Sequence, residues 1–213
     1  MAIIAAMMTL VVPAISTVVA GKGISRALTN YSGALELAKS TALSRNTYVW
    51  VGFANNVDST TGNMRSCLGM MMSRDGTAST APANLSPLGK LVSTEGTAYS
   101  NLNQLSSNLQ TMATAAFLTE AGANKYSVNL NNGTSFVPAL SYVLGGVTFN
   151  EDFMIFTPQG EIVTTPTADS FVTQTMVGIT QARGSVALAP TVAKDGVIIV
   201  VYGGTGQLRV VRP

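Results

Sequence analysis

From Ala2 to Ala20 the chain reads AIIAAMMTLVVPAISTVVA, without a single charged residue, before Lys22 and Arg26 appear. That run approaches the ~20 apolar residues that a helix needs to cross the hydrocarbon core of a bilayer. Lipid, a protein core or other copies of the chain must therefore keep it from water. A cleaved secretory signal would carry a basic region ahead of the apolar stretch, and nothing basic precedes this one. As an ordinary anchor, its Lys22 and Arg26 flank would be held on the cytoplasmic side by charge bias, with only two charges to set it.

The apolar run continues into an amphipathic pattern. Ile24, Leu28, Tyr31, Leu35 and Ala38 or Leu43 recur at steps of three and four, with Arg26, Glu36, Lys39 and Arg45 interleaved. The spacing predicts one helix from near Ala2 to about Ser44, apolar in its first half and an amphipathic stem in its second. Glu36 and Lys39 are placed to pair across one turn. Pro13 removes a backbone donor inside the apolar half, so a kink or a local loss of helix is expected there. Gly21, Gly23 and Gly33 weaken the helix further, each by roughly 1 kcal/mol relative to alanine.

After Asn46-Thr47 the pattern becomes strand-like. Strands are expected at Tyr48 to Phe53 and Ser66 to Ser73, with a third at Leu88 to Thr94, and surface loops at Asn55 to Asn63 and Ser79 to Pro87. Asn101 to Phe117 returns to helical spacing, with Leu102, Leu105, Leu109, Met112 and Ala116 on one face. Further strands are expected at Val147 to Phe149, Phe153 to Thr157, Glu161 to Thr164, Thr175 to Thr180, Val197 to Tyr202 and Gln207 to Val211. Pro158-Gln159-Gly160 and Gly203-Gly204-Thr205-Gly206 supply turns between them. The expected class is α+β: a long N-terminal helix packed on a mainly antiparallel β-sheet head with one further helix. The domains would be 1–46, the helix, and 47–213, the head.

Composition narrows the chemistry. Only 10% of residues are charged, and 12 basic against 10 acidic residues leave a net charge of +2. That is too little for the positive field that nucleic-acid binding uses, so nucleic acid is not an expected partner. The chain has no histidine, the usual general base and the commonest metal ligand. Cys67 is the single cysteine, so neither an internal disulfide nor a thiolate cluster can form, and it reads as a buried inert thiol.

The adjacent acids Glu151-Asp152 lack the spacing of a calcium loop. The glycines of Tyr202 to Gly206 lack the Gly-Lys-Ser/Thr element of a phosphate loop and read as a hairpin turn. Trp50, Tyr48, Phe53, Phe149, Phe153 and Phe156 could stack on a sugar, but strand aromatics more commonly fill cores. No catalytic residue, cofactor or metal is expected.

The N-terminal text resembles the helix of the type IV pilin and pseudopilin superfamily, in which an apolar run broken by a proline continues as an amphipathic stem. Pro13 falls on the family's helix-breaking proline. The stretch Ala34 to Val49, the FTPQGEI turn and the VIIVVYGGTGQLRVV hairpin are similar to the heads of H-type minor pseudopilins. The middle of the chain, about Asn55 to Leu144, carries no such likeness.

The family's basic leader, cleavage point and membrane glutamate do not precede Met1, so the chain is expected to begin inside the mature helix. The resemblance implies a structural subunit rather than an enzyme. It would be held in the inner membrane by a single pass and then built into a periplasmic or extracellular homo-oligomeric helical filament, with other pilins or secretion machinery as possible partners.

Ile3, Ile4, Met7, Met8, Leu10, Val11, Val12, Pro13, Ile15, Val18 and Val19 would form the membrane and filament-core helix. Ile24, Leu28, Tyr31, Leu35 and Leu43 would pack the stem on the head. The rival expectation is a membrane-anchored extracytoplasmic enzyme or glycan-binding head.

Overall fold

The structure is a computed structural model that describes residues 2–100, 105–117, 125–127, 140–150, 152–163, 174–188 and 196–212. Side chains are described from residue 23 onward, except those of 113–117, 125–127 and 152.

In chain order the elements are α1 (Ala2–Arg45), β1 (Val49–Val57), β2 (Met64–Ser73), a 3-10 turn (Pro82–Asn84), β3 (Leu85–Pro87), β4 (Val92–Glu95) and β5 (Thr97–Ser100). They continue with α2 (Ser107–Phe117), β6 (Lys125–Ser127), β7 (Tyr142–Leu144), β8 (Val147–Phe149), β9 (Asp152–Phe156) and β10 (Ile162–Val163). The last are β11 (Gln174–Arg183), β12 (Val186–Ala187), β13 (Gly196–Tyr202) and β14 (Leu208–Val211).

The strands make two six-stranded sheets and a hairpin. The first sheet has the order β10-β9-β1-β2-β3, with β4 also on β2. The second has the order β12-β11-β13-β14, with β5 and β6 also on β11, and β7 pairs with β8 alone. All pairings are antiparallel except β6 with β11.

The expected class is therefore corrected. The described chain is mostly antiparallel β, with fourteen strands against two α-helices, and not an α+β fold organised by a long helix on a single sheet head. The expectation took the strand-rich half to be one sheet. At Gly96 (φ +71) the chain leaves β4, on the first sheet, and enters β5, on the second. Glycine alone takes that backbone geometry without steric cost.

Alternation along the strands builds three cores. In β1, Val49, Val51 and Phe53 face α1, as do Met154 and Phe156 of β9. From the second sheet, Val177, Ile179, Val197, Ile199 and Val201 join the same cluster, so α1 is buried against both sheets. The opposite face of the first sheet, with Trp50, Cys67, Met71, Phe153 and Ile155, is covered by Leu140 and the β7-β8 hairpin. The opposite face of the second sheet, with Met176, Ile198, Val200 and Val211, packs on Leu105 and on Leu109 of α2.

Local predictions are corrected at several points. The Ser79 to Pro87 loop contains the 3-10 turn and β3. Met112, expected on the buried face of the second helix, is 42% exposed. Leu102 and Glu151 lie outside the described residues, and the side chain of Ala116 lies outside those described.

Helix α1 runs through Pro13 without interruption, so the expected local loss of helix is not found. The helix ends where Asn46 adopts φ +49, with Thr47 N–H donating to Ala42 O (3.1 Å) and Asn46 N–H to Leu43 O (3.4 Å). These two bonds close the last turn in a Schellman arrangement.

Candidate assembly seam between α1 and the sheets

Residues 23–45 of α1 present one face to both sheets. Ile24 and Leu28 are buried, and Tyr31 and Leu35 are almost wholly removed from solvent. Between them Ala27, Ala34, Ala38 and Ala42 are also buried. The spacing of the large side chains alone does not reveal Ala27, Ala34 and Ala42. The signal was present as small residues at helical spacing on the same face, where a missing side chain lets the helix axis come close to a sheet.

Leu43, expected in the same stripe, is 47% exposed. A methyl group built on Gly160 would come within 3.1 Å of it, so it lies over the 158–160 turn and outside the core. The expected Glu36–Lys39 pair is absent among the described residues, where Arg65–Asp58 is the ion pair that forms. The stem of Lys39 instead covers Gly206, where an added Cβ would sit 3.1 Å from Lys39 Cδ. Long cationic side chains commonly lay their methylenes on a surface while the ammonium stays wet.

The turns at 158–160 and 203–206, far apart in sequence, meet under this end of α1. Ile162 N–H donates to Gly203 O at 2.7 Å, and a Cβ on Gly206 would sit 2.5 Å from Gly160 O. Glycine at 206, with φ +58, is required both by the backbone conformation and by that approach.

A chain of buried hydroxyls fixes the helix at its middle. Tyr31 Oη lies 2.6 Å from Ser66 Oγ and 2.7 Å from Ser66 O, and Ser66 Oγ lies 2.5 Å from Thr97 Oγ1. Thr97 donates to the carbonyl of Thr94 at 2.8 Å. One proton order satisfies the chain: Tyr31 to Ser66, Ser66 to Thr97, Thr97 to the carbonyl. Burial pushes the Tyr31 phenol above its ordinary pKa, so it stays a neutral donor.

The chain ties α1 to β2, β4 and β5, and Asn55 ties the sheets a second time. Its amide donates to Tyr99 O at 3.0 Å and accepts from Tyr99 N–H at 2.8 Å. Tyr31→Phe keeps the ring and deletes the first link. It is expected to lower stability by about 1 kcal/mol, the net worth of one buried hydrogen bond. Urea unfolding of the full chain checks this, and an unchanged midpoint would show that the hydroxyl does not hold the helix.

The other side chains singled out by sequence are placed in cores. Trp50, Phe53, Phe149, Phe153 and Phe156 are at most 2% exposed, leaving no ring face for a sugar, and Tyr48 is half-buried beside Trp50. Cys67 is buried, and burial pushes its thiol up to about 11, so it is protonated at neutral pH. Among the described residues no group of His, Cys, Asp or Glu could hold a metal ion.

The expected filament-core side chains Ile3, Ile4, Met7, Met8, Leu10, Val11, Val12, Pro13, Ile15, Val18 and Val19 lie outside those described. Among the residues whose side chains are described, from residue 23 onward, no helix is long and apolar enough to cross a membrane. Comparison with protein-family models, with curated proteins and with solved structures finds no significant match to the chain.

Proposed function

We propose that the chain is a structural subunit that self-assembles through its uncharged N-terminal segment, in the manner of a type IV pilin-like filament. One observation carries the reading. Residues 23–45 of α1 are built into the core between two sheets, while the same element upstream, from Ala2 to Ala20, carries no charge. A helix clamped in that way is a rigid handle whose apolar end needs another apolar environment.

In the proposed cycle that environment is first the inner membrane, held in a single pass, and then the neighbouring copies of a periplasmic or extracellular filament. Burial at ~25 cal/mol per Å² drives the exchange from lipid-facing to protein-facing surface only if helix packing adds to it, since lipid is as apolar as the segment. Small residues in the segment, such as Ala5, Ala6, Ala14 and Ala20, allow such close packing.

Electron microscopy of the purified full chain, after dilution from detergent, tests the proposal. Regular fibres of uniform diameter are expected. Monodisperse particles of single-chain mass would contradict it.

A further inference from the structure

We propose that the cleft where α1 meets the β4-β5 and β11-β12 turns binds a phosphate group. The cleft has a volume of about 700 Å³ and is lined by Arg26 of α1, Arg65 of β2 and Arg183 of β11, with Glu95 as its acidic member. Three of the chain's seven arginines therefore line one cavity.

The cleft is held open by backbone bonds that stitch the two sheets together. Met64 N–H donates to Gly184 O (2.6 Å), Gly96 N–H to Met64 O (2.9 Å) and Ala182 N–H to Gly96 O (2.9 Å). Arg65 is fixed in the wall by Asp58, Nη1 to Oδ2 at 3.1 Å, and its Nε is buried without a hydrogen-bond partner. Arg26 and Arg183 are exposed, and among the described residues their guanidinium groups make neither a hydrogen bond nor an ion pair. Three positive charges set against Glu95 and Asp58 leave the cleft net positive.

The class of ligand follows from the donor arrangement. Guanidinium forks match the oxygens of carboxylates and phosphates, and arginine is favoured where either is read by paired N–H groups. Here two unengaged forks, those of Arg26 and Arg183, come from separate elements, and Arg65, held by Asp58, adds its charge from the wall. A tetrahedral phosphate can offer an oxygen to each, whereas a planar carboxylate fills a single fork. Glu95 in the same wall disfavours a polyanion and limits the ligand to one phosphate.

Gly23 belongs to the lining and lies three residues after Ala20, the end of the uncharged segment, so the phosphate could be carried by a lipid headgroup or by a soluble phosphomonoester. Every residue that lines the cleft lies at or after Gly23, so the site does not depend on assembly through the uncharged segment.

Calorimetric titration of the full chain in neutral detergent with inorganic phosphate and with glycerol 1-phosphate tests the site. Saturable binding is expected, weakened at least tenfold in the double variant Arg26→Gln/Arg183→Gln, whose exposed positions leave the fold intact by thermal melting. Absence of saturation, or equal affinity in the variant, would overturn the proposal.

A second arm measures phosphatidylglycerol retained through purification from mixed bilayers. Retention by the wild type and loss in the variant assign the phosphate to lipid. Saturation by glycerol 1-phosphate without lipid retention assigns it to a soluble ester.

Discussion

Replacing Gly69 with valine is expected to lower the stability of the chain by about 3 kcal/mol, the upper part of the usual range for overpacking a filled core. The reason lies in the slot that two glycines make in the first sheet. Gly52 and Gly69 are paired across β1 and β2, and the rings of Tyr142 and Phe149 lie on them, stacked with centroids 5.1 Å apart. A Cβ on Gly69 would sit 2.8 Å from Phe149 Cε2, and one on Gly52 would sit 2.7 Å from Tyr142 Oη.

The rings have nowhere to retreat. Phe149 is 1% exposed, and Tyr142 is anchored by donating its hydroxyl to Gly69 O at 3.0 Å. Strand preference alone would favour valine by up to ~1 kcal/mol, so preference and packing predict opposite signs. Packing dominates because the rings that an added side chain would meet, Tyr142, Phe149 and Phe153, are all buried. In thermal denaturation the loss corresponds to a fall of roughly 6–12 °C in Tm.

Gly33 provides the control. It lies on the exposed face of α1 with nothing within 4 Å of an added Cβ, so Gly33→Ala should stabilise by roughly 0.5–1 kcal/mol. If Gly69→Val melted with or above the wild type, the hairpin would not be seated in the slot as described.

That slot was invisible in the sequence. Gly52 and Gly69 read as weak points in two strands, because nothing local says that an aromatic hairpin eighty residues away will cover them. What could be read were features set by local physics. The aromatic and β-branched run at 48–53 overlaps β1 from Val49 onward, the apolar run at 66–73 falls in β2, and the change from helical spacing at Asn46-Thr47 marks the end of α1.

Ile24, Leu28, Tyr31 and Leu35 were legible as one face by their spacing, and they are buried together. Leu43 has the same spacing but rests on Gly160 with much of its surface exposed, which periodicity could not show. Strands β5 and β12 carried too few apolar residues to stand out. The pairing of β5 depends on β11, distant in sequence, and β12 is a two-residue strand that turns back on β11. The partition into two sheets depends on the turn at Gly96, which looks like any other glycine until its φ is known.

The arginine cleft shows the same limit. Arg26, Arg65 and Arg183 are spread over most of the chain, and only the stitching of β2 to the β4-β5 and β11-β12 turns brings them to one cavity. The hydroxyl chain from Tyr31 to Thr97 was equally hidden, since serine and threonine in strands carry no signal of burial in the sequence.

Removal of residues 1–20 is expected to have the largest effect of all, converting a self-associating chain into a monomer. The deletion takes away the uncharged run and leaves Ile24 and every later residue of the α1 seam, so the packing against the two sheets is kept. The buried contacts of Tyr31, Leu35 and Ala38 lie well downstream of the cut. The truncated chain should therefore still fold, with a cooperative melt, while losing the surface through which copies associate.

Sedimentation velocity of the full and truncated chains, side by side in the same detergent-free buffer, measures this directly. Assembly through the N-terminal segment predicts fast-sedimenting polymer for the full chain and a single species of monomer mass for the truncated one. Polymer of the same size from a folded truncated chain would contradict it.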